Sequence, residues 1–293
     1  MAAAFGQFGR RVRLYGSMLR YAKAHNEDFA RENFEFFVRM RQDLATWSSD
    51  MGDLRVLDLG CGKSMWLTLL LHSCGARVTG IDTEIVGRGH SVAKYLNLFK
   101  ENGFERALRT LAWDVLYARP YYQALAKLAP FPLNFQGLDV RAVEMSEVDL
   151  PDDSLDLIVS HEVFEHLSDV DGVLAAMRRL LKPEGIAYIY IHNFASLSGG
   201  HHIAWKYPDT EPSAVVPPWD HLRENLYSDI PSWINRLREA DYRKSIERHF
   251  EVLSWFPSGR EGASLLTPRI REELADFTED ELLTKGYTVV IRS

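Results

Sequence analysis

The chain has 293 residues, of which 46% are hydrophobic and 26% charged, and it carries a formal net charge of −7. That length supports one large or two small domains with an ample core, and the acidic balance argues against phosphate-backbone binding by the surface as a whole while leaving a small local basic patch open. Two cysteines, Cys61 and Cys74, argue against a disulfide framework and for a reducing compartment, expected to be the cytoplasm, and no apolar run nears the roughly 20 residues of a membrane span.

Residues 1–26 hold Arg10, Arg11, Arg13, Arg20 and Lys23 and no acid. Such a run suits a transit-type or membrane-surface segment. Helical periodicity carries on through Phe29, Phe37, Met40, Leu44 and Trp47, which favours an N-terminal helical segment over residues 1–50, lying on a main domain. Ser48, Ser49, Asp50 and Gly52 then punctuate the chain. Val56 to Leu59 is an apolar run of the kind covered on both faces, a strand. It ends in the turn Gly60-Cys61-Gly62, before a helix from about Met65 to His72. Gly60 and Gly62 remove two side chains, so a ligand can lie against the backbone while helix N–H groups point outwards. A dinucleotide pyrophosphate or another adenosine-bearing ligand suits such a turn. The dinucleotide pattern G-x-G-x-x-G requires glycine at 65, where Met65 stands, and this weakens the first option. Arg77 to Ile81 is a second strand, closing on Asp82. Two parallel strands joined by a helix bring both carboxyl ends to one edge, where a carboxylate can accept from both hydroxyls of a ribose.

Asp58-x-Gly60-x-Gly62, followed by the strand-terminal acid Asp82, resembles the first two motifs of class I S-adenosylmethionine (SAM) methyltransferases. The resemblance implies an α/β fold, a seven-stranded and mostly parallel sheet with helices on both faces and an antiparallel last strand. It also implies SAM as cofactor, held by Asp58, Gly60, Cys61, Gly62 and Asp82.

In a minimal domain of that family one helix and a third strand would follow Asp82. Here residues 84–137 read instead as a helical insertion after the second strand. Its first helix carries Val92, Tyr95, Leu96 and Phe99; its second carries Leu108, Leu111 and Val115, with Pro120 as a break. Trp113, Tyr117, Tyr121, Tyr122 and Phe131 make this segment aromatic-rich: a substrate cap by position, or core contacts ring by ring. Leu138 to Met145 is the expected third strand. Ser146 to Ser160 then resembles the family's strand-end acid, Leu-Pro and following strand. Ser146 stands where an acid usually meets the adenine amine, so Ser146 or Glu147 fills that role. His161 follows the fourth strand and is expected to meet cofactor through its backbone.

A helix with Val173, Leu174, Met177, Leu180 and Leu181 stops at Lys182-Pro183-Glu184-Gly185, which turns into the strand Ile186–Ile191. Leu-Lys-Pro-x-Gly is a frequent signature of the family. The resemblance thus runs from about residue 54 to 192, inside a methyltransferase domain spanning 51–293. Residues 194–225 are too rich in Gly and Pro for regular elements and are expected to form a substrate loop, with Trp205, Tyr207 and Trp219 arguing against disorder. Tyr227 to Arg243 reads as a helix, Phe250 to Trp255 as a strand, Pro268 to Phe277 as a helix and Tyr287 to Ile291 as the last strand.

Methyl transfer is an in-line displacement to which orientation supplies roughly 7–11 kcal/mol. An alcohol acceptor needs, in addition, a base or a metal to deal with its proton. Six of the ten histidines, His161, His166, His192, His201, His202 and His221, fall between positions 161 and 221. His166, His192 and His202 are the candidate bases, and His221 depends on how the loop folds. Glu162, Glu165 and His166 stand at i, i+3 and i+4 and share a face if a helix begins near Glu162. Glu-x-x-Glu-His resembles the metal-binding motif of small-RNA 2′-O-methyltransferases and of some ubiquinone-pathway O-methyltransferases. That implies a divalent metal on these three residues; a fourth ligand could come from His202 or His221, and nothing in the sequence chooses between them. The expectation is a SAM-dependent methyltransferase acting on oxygen of a small sugar-like or phenolic molecule, with no nucleic-acid partner. Its rivals are a non-catalytic SAM-binding relative of the fold and a nicotinamide-dependent oxidoreductase.

Overall fold

The computed structural model describes residues 24–47, 51–83, 113–227 and 233–293, with positions 96, 99, 100, 110 and 111. The strands are β1 (Arg55–Leu59), β2 (Arg77–Ile81), β3 (Asp139–Arg141), β4 (Leu155–His161), β5 (Leu181–His192), β6 (Glu251–Arg260) and β7 (Thr284–Arg292). They run in the order β3-β2-β1-β4-β5-β7-β6 in a seven-stranded sheet. The chain forms two compact units, Met1–Asp53 with Cys61–Ala142, and Leu54–Gly60 with Val143–Ser293.

In the larger unit β1 pairs in parallel with β4, Val56 opposite Leu157, and β4 pairs in parallel with β5, Ile158 opposite Ala187. The carboxyl ends of three strands therefore share one edge. β7 is antiparallel to both β5 and β6, as the sequence led us to expect of the last strand. Val56, Leu57, Ile158, Val159, Ala187, Ile189, Val289 and Val290 are fully buried, so these strands are apolar without alternation. Each such Val, Leu or Ile side chain contributes about 1.5–3 kcal/mol by leaving water. Helix α4 (Val170–Leu180) buries Val170, Leu174, Met177 and Leu180 at helical spacing, and the Asp169 carboxylate caps it by accepting from the Gly172 N–H.

The segment after β5 is irregular but has its own core. Leu197, Trp205, Val216 and Trp219 pack with Ile270 of α6 (Pro268–Glu273) and Leu282 of α7 (Glu279–Leu283). Asn193 ties the start of this segment down. Its Nδ2 donates to the carbonyls of Glu281 and Thr284 at 2.8 Å each, and its Oδ1 accepts from the Ala195 N–H at 3.0 Å. Asn193→Ala strands these three backbone groups in a buried place, so unfolding in urea should show a loss of about 2–4 kcal/mol with an unchanged m-value. A loss below about 0.5 kcal/mol would mean that water replaces the amide.

Residues Tyr227–Arg243, expected as one helix, become α5 (Glu239–Glu247) preceded by irregular chain at 233–238, with Arg236 at a left-handed φ of +60°. The reason is local. Asn235 Nδ2 donates to the carbonyls of Phe164 and Leu167, and the Asn235 N–H donates to the Glu165 carbonyl. A helix through Asn235 would break that clamp.

In the smaller unit α1 (Asn26–Leu44) buries Ala30, Phe37, Met40 and Leu44, and α2 (Trp66–Ser73) buries nearly its whole surface. β2 pairs in parallel with β3, Thr79 opposite Asp139, but β3 is three residues long, not the eight expected. Pro120 does not break a helix. A π-helical turn at Asp114–Ala118 passes directly into α3 (Arg119–Leu128), and Pro120 sits in the first turn of α3, where its missing N–H costs nothing. Tyr117 and Tyr121 stack at 5.3 Å, Asn33 Nδ2 donates to the buried Tyr121 hydroxyl at 2.6 Å, and Phe131 meets Phe37 edge-on. These rings are core contacts against α1. The basic run 1–23 and most of the helix expected around Val92 to Phe99 lie outside the described residues. Among the described residues no helix is long and apolar enough to cross a membrane.

Candidate functional site

The glycine turn follows β1 directly. Gly60 has φ +74°, and a Cβ there would overlap Cγ2 of Val163. Only glycine meets both conditions. The Cys61 N–H donates to the Ile81 carbonyl at 3.0 Å, and the Gly62 N–H donates to Oδ2 of Asp82 at 3.1 Å. The strand-end acid thus holds the turn by a charged hydrogen bond. A Cβ at Gly62 would meet nothing within 4 Å, so the backbone borders open space there. Met65 opens α2 with φ +45°. Asp58 is buried, whereas Ser146 and Glu147 are exposed on a 3₁₀ turn, Met145–Glu147.

The carboxyl ends of β4 and β5 carry the second feature. The His161 ring stacks on Tyr190 at 5.0 Å, and burial lowers its pKa to about 4. Glu162 turns the chain with φ +55°, while its N–H still donates to the Tyr190 carbonyl. No helix begins at Glu162. A single 3₁₀ turn, Phe164–His166, follows, and α4 starts at Val170. The helical face expected to join Glu162, Glu165 and His166 therefore does not form, because a left-handed residue cannot continue a right-handed helix.

A different set converges. Single donor atoms of Glu165, His192 and His201 all lie within 4.8 Å of one another. Glu165 is fully buried and neither carboxyl oxygen has a hydrogen-bond partner. The Nε2 of His201 is likewise unpartnered, 3.9 Å from Oε1 of Glu165. His192 lies at the end of β5, with Nε2 2.8 Å from the Ser198 hydroxyl and Nδ1 3.7 Å from Oε1 of Glu162. The His166 ring stands edge-on to His201 at 4.9 Å, and its Nδ1 donates to the Trp233 carbonyl at 2.8 Å. That carbonyl fixes the tautomer of a neutral His166 and leaves Nε2 with the lone pair.

Electrostatics divide the two carboxyl groups. Burial, reinforced by the neighbouring Glu162 charge, lifts Glu165 well above the usual carboxylate range. Burial also works to raise Glu162, but the Lys206 ammonium and the surrounding imidazoles outweigh it and hold Glu162 well below its usual value. Burial is the main cause that lowers His192 far below the usual imidazole value and His201 to about 4, and both are neutral near pH 7.

Of the expected bases, His166 and His192 are at this cluster. His202 is not: its Nδ1 accepts from the Ala204 N–H and caps the 3₁₀ turn Ile203–Trp205. His221, the other loop candidate, donates Nε2 to the Phe194 carbonyl, and burial lowers its pKa to about 4. Sequence reasoning passed over His201 as a base or ligand, although the pair His201-His202 in a Gly-rich stretch pointed to the place.

A family model described as a methyltransferase domain matches residues 25–255. A protein of Mycolicibacterium smegmatis, named as a probable S-adenosylmethionine-dependent methyltransferase, is 31% identical over 165 residues. That match covers 56% of this chain and 59% of the relative's length. Among solved structures, an S-adenosylmethionine-dependent methyltransferase of Mesorhizobium loti superposes with a TM-score of 0.48 at 17% identity, covering 86% of this chain and 96% of the other. A SAM-dependent methyltransferase of Archaeoglobus fulgidus gives a TM-score of 0.47 at 15% identity, over 89% and 94% of the two chains.

Proposed function

The chain belongs to the class I SAM-dependent methyltransferase superfamily, and from that premise we propose that it methylates a hydroxyl oxygen of a small polar acceptor, with His166 receiving the hydroxyl proton. The observation that carries the reading is the fixed tautomer of His166. A carbonyl occupies Nδ1–H, so Nε2 is the proton acceptor, and it stands beside buried polar groups at the strand edge.

The glycine turn fits the cofactor, since open space borders the backbone at Gly62. Asp58, Gly60, Cys61 and Gly62 would carry it, with Asp82 at the ribose, Ser146 or Glu147 at the adenine, and the backbone of His161 alongside. Bound SAM supplies a sulfonium methyl group whose sulfur departs as a neutral thioether. The protein's own part is to orient the acceptor and to accept its proton at His166 as the oxygen–carbon bond forms. Residues 194–225 bring His201 to the cluster and serve the acceptor side. A sugar-like or phenolic molecule suits this polar pocket edge, and two cysteines that are not joined in a disulfide support a reducing, cytoplasmic setting.

The test is a screen of a metabolite extract with SAM labelled in its methyl group. One hydroxylated compound should gain the label, and His166→Gln should lower kcat on it by about 10²–10⁴-fold with SAM affinity unchanged. Label arriving on nitrogen or carbon would overturn the oxygen assignment. A variant with full turnover would remove His166 as the base.

A further inference from the structure

The geometry points to a first-row divalent transition-metal ion bound by Glu165, His192 and His201. Three separate segments deliver these donors: the 3₁₀ turn after β4, the last residue of β5, and the loop beyond it. Their ligand atoms already lie within 4.8 Å of one another. Bonds of about 2.0–2.2 Å to one ion bring such atoms to about 3.3 Å apart, so side-chain rotations closing at most about 1.5 Å complete the site.

What marks this cluster as a ligand site is its unmet polar demand. Glu165 is 0% exposed and makes no hydrogen bond through either oxygen, and the buried Nε2 of His201 makes none. Buried polar atoms are almost always partnered, and three orphans facing one point call for a partner of their own. The backbone agrees. His201 is held with φ +54°, a conformation that costs a non-glycine residue of order 1 kcal/mol and persists where its surroundings require it.

The surroundings also resemble a ligand support. The Ser198 hydroxyl lies 2.8 Å from His192 Nε2, and the Ser198 N–H donates to the buried Glu261 carboxylate at 2.6 Å. Nδ1 of His192 is thereby left to face the cluster. Hydrogen bonds of this kind, made by the ring nitrogen that faces away from an ion, orient metal-bound imidazoles. Two imidazole nitrogens and one carboxylate oxygen favour Zn²⁺, Mn²⁺ or a similar ion over Mg²⁺ and Ca²⁺, which prefer all-oxygen sets. Three protein ligands leave a position open, the mark of a site that takes a substrate atom. An acceptor hydroxyl bound there would have its pKa lowered beside His166. The role of the ion in presenting the acceptor rests on the methyl-transfer reading; the ion's binding does not.

The experiment strips the full chain with a chelator, removes the chelator by gel filtration and titrates Zn²⁺, Mn²⁺ and Mg²⁺ separately by calorimetry. The expected result is one equivalent of Zn²⁺ or Mn²⁺ bound, at least 100-fold tighter than Mg²⁺. Substituted Co²⁺ should show absorption bands of a nitrogen- and oxygen-ligated ion. Glu165→Gln and His201→Ala should each weaken binding at least 100-fold, while His249→Ala, at an imidazole outside the cluster that pairs with Asp171, should not. The wild-type cobalt spectrum decides the matter even where a variant folds poorly. Absence of stoichiometric binding by wild type, or full binding by both folded variants, overturns the site. Metal bound at these residues in a protein that methylates no hydroxyl would instead defeat the methyl-transfer reading and leave the metal site standing.

Discussion

Gly60→Ala is expected to remove measurable SAM binding and to lower the unfolding free energy by about 2–5 kcal/mol. Two effects combine. The left-handed φ of +74° costs alanine about 1–2 kcal/mol. The new methyl group would overlap Cγ2 of Val163, and overpacking of a stiff β-branched neighbour typically costs 1–3 kcal/mol. Either Val163 or the turn must move, and a displaced turn no longer presents its backbone to the cofactor. Calorimetry with SAM and urea unfolding measure the two losses. The double variant Gly60→Ala, Val163→Ala separates them: relief of the overlap should restore part of the stability, while the backbone strain remains. Wild-type SAM affinity in folded Gly60→Ala would show that the turn is not the cofactor's support.

Asp82→Ala is expected to weaken SAM binding about ten- to a hundredfold, corresponding to roughly 1.5–3 kcal/mol. The carboxylate has two tasks in this reading. One oxygen accepts from the Gly62 N–H at 3.1 Å and holds the turn; hydroxyls of the ribose are the proposed partners of the charged group. Asp82→Asn keeps an oxygen for the Gly62 N–H but loses the charge, so its affinity should fall between those of wild type and Asp82→Ala. Unchanged calorimetric affinity in a folded Asp82→Ala protein would take Asp82 out of the site.

The glycine turn and the main strands were legible because their signals are local. Val56 to Leu59 is apolar but for Asp58, two glycines follow at fixed spacing, and Arg77 to Ile81 is a second short strand that closes on an acid. A buried parallel strand leaves such a trace wherever the rest of the chain lies. Helix α4 was legible from the three- and four-residue spacing of its apolar side chains, although β5 begins at Leu181, ahead of the turn expected at Lys182–Gly185. Misreadings arose where distant groups overrode local preference. Tyr227 to Arg243 has helical periodicity, yet Asn235 gives its amide to the turn at Phe164–Leu167, and the chain there stays irregular. Pro120 reads as a break in isolation, but after a π-helical turn it opens the next helix.

The residue types of the candidate site were visible in the chain, but their grouping was not. Glu165, His166 and His192 stood out by their positions at strand ends, and no local pattern could choose between His201 and His202. Packing chose. The loop is anchored by Asn193 and by the buried cluster around Leu197 and Trp219, and a left-handed backbone at His201 turns its ring towards Glu165. His202, one residue on, caps a 3₁₀ turn instead. Short-range pattern therefore specified the α/β scaffold, the glycine turn after β1 and the stock of imidazoles. Which imidazoles meet a buried carboxyl was decided by contacts between residues far apart in the chain, since a side chain's direction at the end of an irregular loop follows from its anchors and not from its neighbours in sequence.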